Sequence, residues 1–314
     1  MDFFTHSIFG ALIYILFLKE VTFEYFFLAI FFSFLPDLDI FLFPLKRVFK
    51  SNYLEHRAGS HSYITGTLMS AILAIIYSVL TQKPFFIAFI IGIIFYGIHV
   101  SLDLLTTTEI PCFYPLTKRE YCFYVEKAGS SFTFLTSWIF LIILILGYYN
   151  SANIFFFLMV INSYTYFSLS YYAYRIVAKI WINLHLDENQ KYFPGVFPFY
   201  FIIFEYTLTP NGISLNIEKK FHFSKSKVIY KNQSALDAKE MVFFKRGLEM
   251  CKENYYYAKW TILPIFFRRK GLFSIRFFFV EPMVRAKAMY IQYDFDVVTQ
   301  NLIDFNQGYG SIQN

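Results

Sequence analysis

Charge is scarce in this 314-residue chain: Asp, Glu, Lys and Arg together make up 16% of it, against about 25% in ordinary globular domains. So thin a supply excludes a disordered chain or a coiled coil, and it argues against an ordinary soluble enzyme. Glycine and proline number only 13 and 10, which excludes a collagen-like repeat. Cysteine is rarer still. Cys112, Cys122 and Cys251 are odd in number and lack a Cys-x-x-Cys spacing; they form neither a disulfide framework nor a zinc ribbon and fit a reducing compartment. No His-Glu-x-x-His, Gly-x-Ser-x-Gly or P-loop occurs, which removes the enzyme classes those motifs mark. The first residues carry Asp2 and no basic cluster, so a cleavable signal is not expected.

What the chain has instead is apolar mass. It is 57% hydrophobic, with 43 Phe and 26 Tyr, and long apolar runs recur through the first half, as in an integral membrane protein. Four spans are expected at Ser62–Leu80, Pro84–Leu105, Phe132–Tyr149 and Ala152–Tyr174. Residues 3–35 hold two shorter runs separated by Lys19, Glu20, Thr22 and Glu24. They read as a hairpin of short helices, with one kinked span as the alternative. If that hairpin returns to its own side, one face collects Lys46, Arg47, Lys50, Arg57, Lys118, Arg119, Lys127, Arg175 and Lys179. The other face has only Lys19 and Lys83. The positive-inside rule then puts the basic face, with both termini, in the cytoplasm of an inner-membrane protein.

Four of the six histidines, His6, His56, His61 and His99, fall near that same face, as do Asp37, Asp39 and Asp103. His99 and Asp103 are four apart and therefore share a helical face. Imidazole and carboxylate together form a palette for a divalent metal, zinc first, with manganese or iron as alternatives. Arg57, between His56 and His61, has the fork that suits a phosphate oxyanion. The plainer readings are a turn for Pro36-Asp37, an interfacial histidine for His6, a helix-stabilising pair for His99 and Asp103, and a supporting rather than ligating role for Asp39. Because ionisable groups inside spans are expensive, convergence from four segments favours one shared site.

In order and approximate spacing these motifs resemble the membrane-bound metal-dependent hydrolases, the LexA-regulated inner-membrane family. That family carries an N-terminal His, Pro-Asp-x-Asp, His-Arg-Gly-x-Thr-His-Ser, and His-x-x-x-Asp followed by Thr and a Pro-containing segment. Here the matching residues are His6, Pro36-Asp37-Leu38-Asp39, His56-Arg57-Ala58-Gly59-Ser60-His61-Ser62, and His99 to Asp103 with Thr106, Pro111 and Pro115. Ala58, Ser60 and Glu109 depart from the pattern. The resemblance implies a metal site built from His6, Asp37, His56, His61, His99 and Asp103. Arg57 would stabilise substrate charge, and Asp39 or Glu55 would act as base or support. The expected activity is hydrolysis of an ester or phosphoester, with a lipid-like substrate favoured by the depth of the site. A non-enzymatic scaffold or ion-pathway protein with a structural metal or polar cluster is the alternative.

Beyond about residue 183 charge becomes denser and the pattern changes. Phe197–Leu208 and Ile213–Phe223 flank a hairpin signal, Thr209-Pro210-Asn211-Gly212. Ser234–Asn254 reads as a helix, and Tyr255–Phe267, Leu272–Val280 and Val284–Phe295 read as strands. The expected whole is an α-helical polytopic membrane domain over 1–180, of about six helical segments with the first two short. A cytoplasmic α+β domain with an antiparallel sheet follows over 185–297, and then a flexible tail over 298–314. Membrane lipid is the expected partner, no nucleic-acid motif appears, and the sequence names no protein partner for the second domain.

Overall fold

A computed structural model describes residues 3–17, 22–42, 54, 56–209, 212–221, 224–284 and 287–312. The chain divides into two compact units, Met1–Val177 and Ala178–Asn314, and each is taken by itself.

The first unit begins with α1 (Phe3–Phe17) and α2 (Phe23–Phe34). Tyr14 packs on Phe26, ring centroids 5.8 Å apart, and Phe3 on Phe34 at 4.5 Å. Low numbers on one helix thus meet high numbers on the other, so the pair is antiparallel and the hairpin expectation is the one realised. Gly10 permits the close approach: a Cβ there would stand 2.7 Å from the Cβ of Ser33. At 15 and 12 residues the two helices are about 22 and 18 Å long, short of the ~30 Å hydrocarbon core. A 3-10 segment, Leu35–Leu42, follows α2 and carries Asp37 and Asp39.

Four further helices follow: α3 (Tyr63–Thr81), α4 (Phe85–Leu104), α5 (Ser131–Tyr149) and α6 (Ile154–Asn183). Among the described residues these four are the helices long and apolar enough to cross a membrane. The expected count of about six segments therefore resolves into four spans and one short pair. Ser62 caps α3 by accepting from the Ile64 N–H at 3.2 Å, and Ser130 caps α5. Of these helices α4 is the most enclosed. Its buried residues Ala88, Gly92, Phe95, Tyr96, His99, Val100 and Asp103 recur at the three- and four-residue spacing of one helical face. The stripe that makes α4 central therefore also turns His99 and Asp103 inward. Tyr14, Phe32, Phe95, Tyr96, Val100 and Ile110 form the core around it.

The second unit holds two four-stranded antiparallel sheets, each in sequential order. The first contains β1 (Gln190–Pro194), β2 (Tyr200–Thr209), β3 (Gly212–Phe221) and β4 (Ser224–Ala235). The second contains β5 (Ile262–Arg269), β6 (Leu272–Phe279), β7 (Lys287–Asp296) and β8 (Leu302–Ser311). Between them lie α7 (Ala238–Lys252) and α8 (Tyr255–Lys259). Phe243 and Phe244 of α7 pack with Phe273, Ile275, Phe277 and Phe295 of the second sheet.

Several expectations need correction here. The helix starts after Asp237, not Ser234: Asp237 and Glu240 form a reciprocal capping box, while Ser234 and Ala235 pair with Ile213 and Gly212 as the end of β4. Residues 255–259 are helical rather than extended. The stretch read as a flexible tail contains β8, paired with β7 from Lys287↔Ser311 to Phe295↔Leu302. Its mostly exposed side chains make an edge strand look like a polar tail, because backbone pairing leaves no hydropathy signal. The pair Thr209↔Gly212 marks the hairpin read from sequence; a second hairpin joins β5 and β6 at Arg269↔Leu272, with Gly271 at φ +74°.

Candidate metal centre

The polar residues of the first unit converge through four local devices. The 3-10 segment after α2 brings Asp37 and Asp39 side by side. The turn 56–60 folds back on Asp39: its Oδ2 accepts from the Arg57 backbone N–H at 3.0 Å and from the Ser60 hydroxyl. Arg57 adopts φ +61°, a left-handed conformation that a non-glycine residue holds only when its surroundings impose it. The bond to Asp39 and a second, from the Arg57 guanidinium to Thr108 Oγ1 at 3.0 Å, supply that constraint. The Tyr96 hydroxyl donates to the Ser60 carbonyl, tying the turn to α4.

Asp37, His61, His99 and Asp103 each direct one donor atom into a common space, all within 4.8 Å of one another. His61 Nε2 is 3.2 Å from His99 Nε2, 3.2 Å from Asp103 Oδ2 and 3.5 Å from Asp37 Oδ1. His99 Nε2 is 3.7 Å from Asp37 Oδ1 and 3.9 Å from Asp103 Oδ2. Ligands bound at the usual ~2.0–2.1 Å around a tetrahedral zinc stand about 3.3 Å apart, so the spacing fits a small divalent cation. Asp37 Oδ1 is buried and has no hydrogen-bond partner among the described residues, an isolation a cation would relieve.

The outer nitrogens set the direction of the rings. His99 Nδ1 donates to the Ser33 carbonyl at 2.7 Å, and a carbonyl can only accept, so in the neutral ring the Nε2 lone pair faces the cluster. His61 Nδ1 lies 3.0 Å from Ser60 Oγ and 3.4 Å from Asp39 Oδ2. Burial opposes charge on His61, but Asp103, Asp37 and Asp39 surround it and raise its pKa to about 10. Burial likewise opposes ionisation of Asp39, yet hydrogen bonds from His56 and His61 hold that carboxyl well below the usual carboxylate range. Three clustered carboxylates thus gather positive charge on His61, which is the electrostatics of a cation site.

The remaining candidates take other places. His6 stacks on His99, ring centroids 3.7 Å apart, and its Nε2 lies 3.3 Å from Asp103 Oδ1. It borders the four-donor set through the other oxygen of Asp103. His56 is not brought into the set: its Nδ1 is bonded to Asp39 Oδ1 at 2.6 Å. Its ring lies edge to face with that of His61, planes at 90° and centroids 5.7 Å apart. Arg57 Nε lies 3.5 Å from Asp103 Oδ2, at the border of the cluster. Glu55 lies outside the described residues. Sequence reasoning missed Ser33 and Thr108. Ser33 acts through its backbone carbonyl, which carries no side-chain signal; Thr108 stood within the Thr106–Thr108 run after Asp103.

A family model described as "YdjM inner membrane protein" matches residues 1–177, the whole of the first unit and more than half of the chain. The chain belongs to the YdjM inner membrane protein family. Neither a curated protein nor a solved structure matches it. Membership agrees with the four membrane-length helices and makes this an inner-membrane protein with a candidate metal centre.

Proposed function

We propose that the protein is a metal-dependent hydrolase that cleaves an ester or phosphoester of a lipid-like substrate at the cytoplasmic boundary of the inner membrane. The observation that carries the reading is the four-donor cluster of Asp37, His61, His99 and Asp103, bordered by the Arg57 guanidinium. The excess of Lys and Arg on that face supports the orientation. Asp37, His61, His99 and Asp103 would hold a divalent ion, zinc first among the candidates, which would supply Lewis acidity when bound. The chain's own groups do the rest. Arg57 binds anionic charge on the substrate. Asp39, with both oxygens engaged, positions His61 and His56 rather than acting as a base. His56, with a side chain 33% exposed, moves a proton at Nε2.

A structural metal is the second reading, and one observation favours it: two imidazoles and two carboxylates can close a tetrahedron. Cobalt(II) substitution separates the two. Five- or six-coordinate absorption, together with release of headgroup or acyl product from detergent-solubilised phospholipid, supports the hydrolase. Four-coordinate absorption with no turnover sinks it. The loss of bound metal in His61→Ala, His99→Ala and Asp103→Ala ties either outcome to this cluster.

A further inference from the structure

Away from the polar cluster, the first unit has a half-open cavity of about 320 Å³ between the α1–α2 pair and helices α5 and α6. Phe4, Ala11 and Ile15 of α1, Ile30 of α2, Leu144 of α5 and Ile161 of α6 are among its walls. Its two polar side chains are already satisfied: the Ser7 hydroxyl donates to the Phe3 carbonyl at 2.9 Å, and the Tyr164 hydroxyl shares a 2.7 Å bond with Ser137. Water needs two to four polar partners in such a space and finds none. Left empty, the lining would forfeit its dispersion contacts over one side. Inside a bilayer the phase that fills it is hydrocarbon.

The dimensions specify which hydrocarbon. From Phe4 to Ile15 the wall rises about 17 Å along α1, close to half of the ~30 Å hydrocarbon core, which is the reach of one chain in one leaflet. The first two turns of α1 carry His6, between Phe4 and Ser7, on the face turned to Asp103. Chain cavity and polar cluster therefore share one end of one helix and one depth.

We propose that this cavity binds one acyl chain of a membrane phospholipid, and that the bound chain sets the lipid's headgroup linkage at the depth of the cluster. The last clause rests on the hydrolase reading; chain binding does not. The test uses full-length protein in phosphatidylcholine nanodiscs doped with a phosphatidylglycerol carrying a diazirine in one acyl chain. Photolysis is followed by peptide mass mapping. Adducts are expected on the cavity lining, reduced about tenfold or more by Ala11→Trp, which fills the space. Ala11→Leu gives an intermediate loss and decides the matter if the Trp variant does not fold. Asp103→Ala leaves the adducts unchanged while removing metal. Labelling that spreads evenly over outward residues such as Leu80 and Phe155, or that is unchanged in both Ala11 variants, overturns the proposal. So do crosslinks from the lining to a second copy of the chain. Cavity adducts without lipid turnover refute the hydrolase reading and leave the chain site standing.

Discussion

Replacing Asp39 by Asn isolates the support of the metal centre from the centre itself, because Asp39 is not one of the four clustered donors. Its carboxylate accepts from His56 Nδ1 at 2.6 Å, from the Arg57 N–H at 3.0 Å and from the Ser60 hydroxyl, and it lies 3.4 Å from His61 Nδ1. Asparagine keeps the size and one acceptor but turns an NH₂ toward groups that donate. Either His56 must change tautomer or the 56–60 turn must move, and His61 moves with it. Loss of an orienting group behind a ligating imidazole costs about 10- to 100-fold in metal affinity, or about 1.4–2.7 kcal/mol. The assay is competition of the detergent-purified protein against a chromophoric zinc chelator. Asp103→Asn, which removes a donor outright, serves as the reference. Asp39→Asn should retain one equivalent of metal with weakened affinity. Wild-type affinity in Asp39→Asn would refute the orienting role; loss as complete as in Asp103→Asn would make Asp39 a ligand.

Three further outcomes are expected. With its pKa raised to about 10, His61 is protonated at neutral pH before metal arrives and must lose that proton to bind. Calorimetry at pH 7 in buffers of different ionisation enthalpy should therefore show about one proton released per metal, and apparent affinity should climb as pH rises toward 10. No released proton would contradict the charge assignment. Gly10→Ala places a Cβ against Ser33 and should destabilise the α1–α2 pair by about 1–3 kcal/mol, with partial rescue by Ser33→Gly in thermal unfolding. Equal melting of single and double variants argues against that contact. Truncation after Gln300 removes β8 and leaves β7 as an unpaired edge. At about 0.5–1.5 kcal/mol for each lost ladder hydrogen bond, the second unit should lose several kcal/mol and aggregate, whereas wild-type melting would mean that β8 contributes nothing.

The sequence was most informative where a signal repeats along one element. The four spans were legible because hydropathy sums over about twenty residues, and the Asp37–Asp39, His61 and His99–Asp103 motifs because charge inside such a chain is conspicuous. The short α1–α2 pair followed from polar residues breaking an apolar run. By contrast, β1, β4 and β8 escaped notice, since strand pairing is a backbone interaction whose partners lie elsewhere in the chain.

The sequence alone thus determined that this is a membrane protein whose first unit holds a set of imidazoles and carboxylates. Tertiary structure decided which of them meet. His56 and His61 look equivalent in the chain, but the left-handed turn at Arg57 gives His56 to Asp39 and turns His61 Nε2 inward toward His99. Likewise nothing in the Ser33 side chain announces that its carbonyl orients His99. Ligand selection depends on three-dimensional direction at a scale of an ångström, set by packing between segments up to a hundred residues apart, and hydropathy and spacing along a single strand of sequence carry no such information.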